Sequence, residues 1–204
     1  TMLYGSISHG FSPPTLEETL LPDGLINSTI EPESGWNYEI GSRGQLFKNT
    51  VYFDIAIYRM DVKNLLVARR TSNDEYMGVN AGKTQYNGLE FTLKNTFIKT
   101  KNITLFGFHS FAYNDFKFKK FIDDSNDYSN NLLTGVPKLT YNATIGLESL
   151  NGFYTSVNYS FVGEIPLRDD NSVYSDEYQI INTQFGYQSN TNNNFQYNFL
   201  VGIN

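Results

Sequence analysis

The sequence predicts an all-β protein, namely an antiparallel up-and-down transmembrane β-barrel, here a partial barrel of about nine to ten long strands. Three observations predict this fold. Apolar and polar residues alternate over runs of roughly 10 to 14 residues, which is the period of a strand. Aromatic residues make up 16% of the 204 residues and charged residues only 18%, a composition that suits a pleated, half-buried surface. Long and short connections between the runs alternate strictly.

Nine alternating runs are predicted as strands. They cover residues 2–11, 36–47, 50–67, 83–97, 102–115, 138–149, 152–165, 176–188 and 194–204. In the second and third runs the apolar positions include Trp36, Tyr38, Ile40, Val51, Phe53, Ile55 and Ile57. In the sixth, seventh and ninth runs they include Leu139, Tyr141, Ile145, Phe153, Val157, Tyr159, Phe195, Phe199 and Val201. Helical periodicity is nearly absent, and the best helix candidate, from Pro14 to Leu21, spans one or two turns.

Strand length and the chemistry of the polar positions favour a membrane barrel over a soluble sandwich. Ordinary strands have about 5–6 residues, whereas a tilted strand that crosses a membrane needs about 9–11. The polar positions hold mostly Asn, Gln, Ser, Thr and Gly, which suit a crowded, wet interior where polar groups satisfy one another. We therefore expect Phe53, Ile145 and Phe199 to face lipid, and Asn142 and Asn158 to enclose water.

The connections support the same fold independently. The long ones are residues 12–35, 68–82, 116–137 and 166–175, and the short ones are residues 48–49, 98–101, 150–152 and 189–193. In an up-and-down barrel alternate connections lie at opposite ends, so one end carries long loops and the other only turns. Outer-membrane barrels have this asymmetry, with the long loops extracellular.

The composition disfavours several other classes of function. A formal net charge of −6 disfavours nucleic acid as a partner, because phosphate neutralisation needs a basic face. The absence of cysteine excludes a disulfide framework and a thiolate site. There are two histidines, His9 and His109, and neither a nucleophile elbow nor a phosphate-binding glycine loop. We therefore predict no enzyme activity, no catalytic residue, no metal site and no cofactor.

One loop contains an acidic segment that has to be weighed as a calcium site. The segment Asp123-Asp124-Ser125-Asn126-Asp127 has oxygen ligands at the first, third and fifth positions of a calcium-binding loop. However, Tyr128 stands where the sharp turn needs glycine, and Thr134 stands where a bidentate glutamate belongs. We predict a solvated loop whose acidic side chains and Tyr128 are candidates for ligand contact.

Two basic segments are further candidates for binding an anion. Arg69 and Arg70 lie at the base of another long loop. The run from Lys117 to Phe121 interleaves lysine and phenylalanine, which suits lipid headgroups, a polysaccharide or an anionic ligand. A strand that extends beyond the membrane, with lysines reaching to the interface, explains this run equally well.

Four segments resemble the TonB-dependent outer-membrane receptors in the order that this family has them. They are Gly10-Phe11-Ser12-Pro13-Pro14-Thr15-Leu16-Glu17-Glu18, Ile30-Glu31-Pro32-Glu33-Ser34 with Tyr38-Glu39-Ile40-Gly41, Asn80-Ala81-Gly82-Lys83-Thr84, and Leu133-Thr134-Gly135-Val136-Pro137. The resemblance implies a 22-stranded barrel closed by an N-terminal plug, with residues 1–204 as its C-terminal part. Because the family's chains end in a terminal aromatic residue, we expect this chain to stop before the last strand.

The resemblance also implies a function. It is uptake of a scarce nutrient, usually a ferric siderophore, across the outer membrane of a Gram-negative bacterium, with outer-membrane lipid around the barrel. The TonB complex would act through the missing N-terminal part. The charged residues predicted to face the interior are Glu39, Arg43, Asp54, Glu90 and Glu148. They form either an ion-pair network that faces the plug or individually solvated charges. The remaining alternatives are a small self-contained barrel with a structural or adhesive role and a soluble carbohydrate-binding domain.

Overall fold

The computed structural model describes residues 1–70, 75–80, 82–123, 126–189 and 196–204. These residues are almost entirely β-structure. The elements in chain order are β1 (Met2–Ser12), α1 (Leu16–Thr19), β2 (Glu33–Leu46), β3 (Val51–Lys63), β4 (Leu66–Arg70), β5 (Tyr76–Asn80), β6 (Lys83–Lys99), β7 (Ile103–Lys120), β8 (Ile122–Asp123), β9 (Asn126–Asp127), β10 (Leu139–Ser149), β11 (Phe153–Val162), β12 (Tyr178–Gln188) and β13 (Asn198–Ile203). The single described helix has four residues, and none in this part of the chain is long and apolar enough to cross a membrane.

Nine of the strands form one antiparallel sheet. Their order is β1-β2-β3-β6-β7-β10-β11-β12-β13, which is the order of the chain once the two small hairpins β4-β5 and β8-β9 are set aside. This confirms the predicted up-and-down topology. The first and last strands of the sheet do not pair with each other in the described structure, so the partial barrel is open.

All nine predicted strands are present, with two notable differences in their limits. Strand β3 ends at Lys63 rather than at residue 67, and β7 continues to Lys120 rather than ending at residue 115. The predicted limit of residue 115 was too short because Asp115 and Lys117 interrupt the apolar positions; in the structure these two side chains pair with each other. The longer β7 agrees with one of the two explanations left open for the run from Lys117 to Phe121, namely a strand that extends further. The helix candidate shrinks to one turn, which a capping box holds between Thr15 and Glu18.

The two faces of the sheet follow from the register, because directly paired residues share a face. We call them the apolar face and the polar face. Phe53, Ile145 and Phe199 lie on the apolar face, where Ile145 is 51% exposed and Phe199 is 66% exposed. Asn142 and Asn158 lie on the polar face. The three apolar side chains therefore do not meet in a dry interior.

Aromatic rings cover glycines on neighbouring strands of the polar face. The directly paired positions are Tyr4 with Gly41, Tyr58 with Gly88, Phe106 with Gly146 and Tyr154 with Gly186. In each pair a Cβ added to the glycine would overlap the ring. The ring thus occupies the space that a Cβ would take, so only glycine fits at these four positions without a shift of the ring.

Candidate ligand-facing site at the loop end

The antiparallel order places all four long connections at one end of the sheet. They comprise the described parts of residues 13–32, 64–82, 121–138 and 163–177, and we call them together the loop rim. The turns after β2, β6 and β10 lie at the opposite end. Each part of the loop rim contacts the next, as the following three junctions show.

Asn80 joins the first and second parts of the loop rim. Its Oδ1 accepts a hydrogen bond from the backbone N–H of Glu31 at 2.9 Å, and its Nδ2 donates to the carbonyl oxygen of Glu31 at 2.9 Å. The same Nδ2 donates to the carbonyl oxygen of Asn64 at 2.8 Å, and the Nδ2 of Asn64 donates to Oε2 of Glu31 at 2.7 Å. The Asn80 side chain therefore binds the backbone of Glu31 as a neighbouring strand would.

A small apolar cluster joins the second and third parts. Phe118 and Phe121 are only 4% and 5% exposed, and their ring centroids are 4.5 Å apart. The partly buried side chains packed around them are Leu65, Val67, Tyr128 and Leu133. Tyr128, a predicted ligand-contact residue, has its ring centroid 5.7 Å from that of Phe121. Part of its ring is thus covered by the cluster.

Asn171 joins the third and fourth parts in the same way as Asn80 joins the first two. Its Oδ1 accepts from the backbone N–H of Leu132 at 2.7 Å, and its Nδ2 donates to the carbonyl oxygen of Leu132 at 3.0 Å. Asn131 donates through Nδ2 to the carbonyl oxygen of Asp169 at 2.8 Å, and Thr134 donates to Oδ1 of Asp169 at 3.2 Å. The loop rim is therefore a connected structure rather than four separate loops.

Hydrogen bonds stabilise the charged form of exposed acids in the loop rim. The Ser129 side chain and backbone N–H lower the pKa of Asp127 below its usual value, and Ser172 has the same effect, in the same order, on the pKa of Asp170. The N–H groups concerned donate to Oδ1 of these acids at 2.9 Å in both cases. Within the described part of the chain, no three His, Asp or Glu side chains are grouped so as to hold a metal ion.

A recess opens on the polar face beside the loop rim. It has a volume of about 410 Å³, and its lining includes Ser8, Gly10, Glu33, Asn37, Met60 and Tyr86. Gly10 lies opposite Gly35 in the register, and nothing lies within 4 Å of the position a Cβ would take at Gly10. The absence of side chains at these two paired positions contributes to the recess in the polar face.

Aromatic rings continue the wall of this recess. The ring centroid of Tyr86 lies 4.9 Å from that of Phe116 in an edge-on arrangement, and Tyr58 lies 6.5 Å from Phe116. Hydroxyl, carboxamide and thioether groups next to such rings can bind a ligand by hydrogen bonds and stacking. This recess could not be predicted from the sequence because its lining comes from four strands whose register relative to one another the alternation does not give.

Several predicted ligand-contact residues fall partly or wholly outside the described structure. Arg69 and Arg70 lie in β4, opposite Met77 and Tyr76, and their side chains are outside the described part. The backbone of Asp123 lies in β8, but its side chain and the whole of Asp124 are also outside. A role of these residues in ligand binding remains a prediction.

The five predicted interior charges all lie on the polar face. They are Glu39, Arg43, Asp54, Glu90 and Glu148. Arg43 is directly opposite Asp54 and lies over the ring of Tyr4, 5.5 Å from its centroid. Within this described set no two side chains form an ion pair, while the ion pairs Arg59–Asp61 and Lys117–Asp115 lie on the apolar face. A network completed by other groups remains a prediction.

One polar-face cation was missed by the sequence analysis. The Nζ of Lys94 lies between the rings of Tyr52 and Phe108, 5.8 Å and 5.7 Å from their centroids. These three residues are directly paired across β3, β6 and β7. A lysine between two aromatic positions on adjacent strands is the signal that would have indicated this contact.

Comparison with known proteins decides the family. Residues 1–204 match the family described as TonB dependent receptor-like, beta-barrel. The chain belongs to this family. In a barrel of this type the apolar face meets lipid and the polar face lines the interior. The loop rim and the recess of this TonB-dependent receptor barrel therefore lie at the mouth of the barrel.

Solved structures share the fold of this receptor barrel at low sequence identity. The siderophore receptor PiuA from Acinetobacter baumannii has a TM-score of 0.70 and 19% identity, and the match covers 96% of this chain and 28% of that one. BauA, the ferric preacinetobactin receptor from Acinetobacter baumannii, has a TM-score of 0.69 and 16% identity, over 98% and 29%. The copper transporter OprC has a TM-score of 0.68 and 15% identity, over 94% and 29%. The chain thus spans less than a third of the length of these proteins.

Proposed function

We propose that residues 1–204 are the C-terminal part of the barrel of a longer receptor in the outer membrane of a Gram-negative bacterium. This receptor takes up a ferric siderophore and is not an enzyme. A plug and a segment that contacts the TonB complex are supplied by parts of the receptor outside these residues. The observation that carries the proposal is the family match over the whole chain, supported by siderophore receptors among the proteins of the same fold.

In this proposal the recess and the loop rim are the parts of residues 1–204 that contact the siderophore. The three junctions connect the four parts of the loop rim, and such pre-organisation lowers the ordering entropy lost when a ligand binds. The recess offers the ligand hydroxyl groups, the carboxamide of Asn37 and the ring of Tyr86. In this proposal the recess contacts the organic part of the siderophore, while the iron is already held by the siderophore itself.

The test uses the full-length receptor. Quenching of its tyrosine and tryptophan fluorescence should report binding of at least one ferric complex from a panel of hydroxamate, catecholate and carboxylate siderophores. Cells that carry the receptor should take up that labelled iron complex only when the TonB complex is intact. Binding of a copper salt without binding of any ferric complex would contradict the choice of cargo, and uptake that is independent of TonB would contradict the mechanism.

A pair of variants tests the recess. Gly10→Phe should place a ring in the recess, because Gly10 lines it and no atom lies within 4 Å of the position of the new Cβ, and should weaken siderophore binding at least about tenfold. Gly202→Phe is the matched control, since it also lies on the polar face, in β13, with its nearest neighbour at 3.9 Å. Equal affinities for the two variants would show that the recess does not contact the siderophore.

A further inference from the structure

Formal charge is unevenly distributed between the loop rim and the rest of the chain. Counted over the whole sequence of its four ranges, the loop rim has fourteen acidic and four basic residues, a formal charge of −10. Because the whole chain carries −6, the strands and turns together carry +4. The count includes Arg69 and Arg70, whose side chains lie outside the described part, and Asp74 and Glu75 match them in number within the same range. The loop end of the barrel is therefore acidic.

Basic residues close to the loop rim lie on the outer side of the barrel wall. Lys63, Lys83 and Lys117, at the loop ends of β3, β6 and β7, lie on the apolar face. Lys138 belongs to the loop rim, and its Nζ lies 5.7 Å from the centroid of the Tyr113 ring, which is also on the apolar face. These four cations are thus on the side of the sheet away from the recess.

The recess on the polar face contains an acid and no described base. Glu33 is the only charged residue in its described lining, and no described side chain forms an ion pair with it. Its Oε1 accepts a hydrogen bond from the backbone N–H of Leu66. The same lining includes the ring of Tyr86 and the carboxamide of Asn37. A carboxylate, an aromatic ring and a carboxamide oxygen all attract a protonated amine, whereas an anion in this recess would meet a carboxylate without a counter-charge.

The charge of a ferric siderophore complex follows from its chelating groups. Each hydroxamate loses one proton when it binds Fe³⁺, so a trihydroxamate complex is neutral, and a free amine elsewhere in the ligand makes it cationic. Each catecholate loses two protons, so a tris-catecholate complex is anionic, and complexes of hydroxycarboxylates are anionic as well. Like charges brought together at a binding site suppress the wrong partner. The acidic loop rim and the recess therefore discriminate against the anionic classes.

We propose that the substrate of this receptor is a cationic ferric complex of the hydroxamate class that carries a free amine. This inference rests on the proposed siderophore uptake and on the recess as the place of contact. The protonated amine lies in the recess beside the carboxylate of Glu33 and the ring of Tyr86. The acidic loop rim raises the rate at which the complex reaches the mouth of the barrel.

The first test compares ligands that differ in charge, by fluorescence quenching of the full-length receptor. The probes are ferric trihydroxamates with a free amine, desferrioxamine B among them, each paired with its N-acetylated form, and a ferric tris-catecholate. An amine-bearing complex should bind at least about tenfold more tightly than its acetylated form, and the tris-catecholate should bind more weakly than both. Equal affinity within each pair, or tightest binding of the tris-catecholate, would overturn the inference and leave siderophore uptake standing. Binding of no ferric complex would contradict the proposed function itself.

A pair of variants tests the contact with the amine. Glu33→Gln keeps an oxygen for the N–H of Leu66 but removes the charge, so affinity for the amine-bearing complex should fall about tenfold. Affinity for the acetylated form should stay within twofold of the wild type. Glu148→Gln is the matched control, because it makes the same change on the polar face at the turn end, and it should alter neither affinity more than twofold. Equal losses for both ligands in Glu33→Gln would show a structural effect and overturn the contact.

The salt dependence of association tests the role of the loop rim. In stopped-flow measurements, the association rate of the amine-bearing complex should fall about tenfold between about 0.01 M and 0.5 M salt, and that of the acetylated form should change less than twofold. Neutralising three exposed acids of the loop rim, by Glu17→Gln, Asp176→Asn and Glu177→Gln, should reduce this salt dependence and leave the dissociation rate unchanged. An association rate that is independent of salt, or that rises with it, would overturn the electrostatic attraction.

Discussion

Removing the ring of Phe118 should open the loop rim while the sheet stays intact. Phe118 is 4% exposed and packs against Phe121, whose exposure is 5%. A buried Phe→Ala substitution costs about 3 to 5 kcal/mol. Because the cluster members other than Phe121 are only partly buried and can collapse into the space, we expect the lower value. At 1.4 kcal/mol for each factor of ten, about 3 kcal/mol raises the local opening equilibrium roughly 100-fold.

Hydrogen exchange of the full-length receptor measures this opening. The amides of Tyr128 and Leu133 donate to the carbonyl oxygens of Phe121 at 2.8 Å and Phe116 at 2.9 Å, so they report directly on the cluster. In Phe118→Ala their exchange should become about 100-fold faster, whereas peptides from β11 and β12 should be unchanged. Phe153→Ala is the control, because its side chain is 61% exposed at the turn end. Exchange of the Tyr128 and Leu133 amides within threefold of the wild type would refute the role given to the cluster.

Three further predictions concern single interactions. Gly88→Ala should destabilise the barrel by about 1 to 3 kcal/mol, because the added Cβ overlaps the ring of Tyr58. Tyr58→Ala in the same molecule should recover part of the lost free energy of unfolding, measured in urea. No recovery would exclude the clash as the cause. Asn171→Gly keeps the positive φ of 53° but removes the amide that binds Leu132, so cleavage of residues 163–177 by added protease should become about tenfold faster if the bond contributes about 1 to 2 kcal/mol. Since the pKa values of Asp127 and Asp170 are lowered in the folded protein, their stabilising effect is present above about pH 4 and is lost as the pH falls further. Relative to cleavage of an unstructured peptide by pepsin at the same pH, cleavage of the wild-type loop rim should therefore become faster as the pH falls below about 4. Asp127→Asn with Asp170→Asn should flatten this dependence; parallel profiles would contradict it.

The strands of the sheet could be predicted from sequence because each follows from a local rule. In a run such as residues 139–149, successive side chains point to opposite faces of the sheet. The alternation of apolar and polar residues within the run therefore predicts both the strand and the face of each residue. The rule failed where a strand carries charge on its apolar face. Residues 116–120 of β7 continue to pair with β6, and Lys117 pairs with Asp115 two residues away. Periodicity alone predicts that the strand ends there, because these charges interrupt the apolar positions.

The loop rim and the recess could not be predicted, because their contacts join distant positions. Asn80 binds a backbone segment 49 residues earlier, and Asn171 binds one 39 residues earlier. Asparagine is common in loops for its local turn preferences, so nothing in the neighbouring sequence distinguishes these two from the rest. The hairpin β4-β5 was missed for the same reason, since α1, which contacts β5, lies much earlier in the chain.

The number of strands in the sheet has a geometric consequence. Successive strands alternate in direction, so the first and ninth, β1 and β13, run the same way. Joining these two edges would require a parallel ladder, and the same holds for the edges of two copies inserted in the same orientation. A ring in which every neighbour is antiparallel has an even count of strands. Closure of this barrel therefore takes an odd number of additional strands. The outermost two of these strands must run antiparallel to β1 and β13.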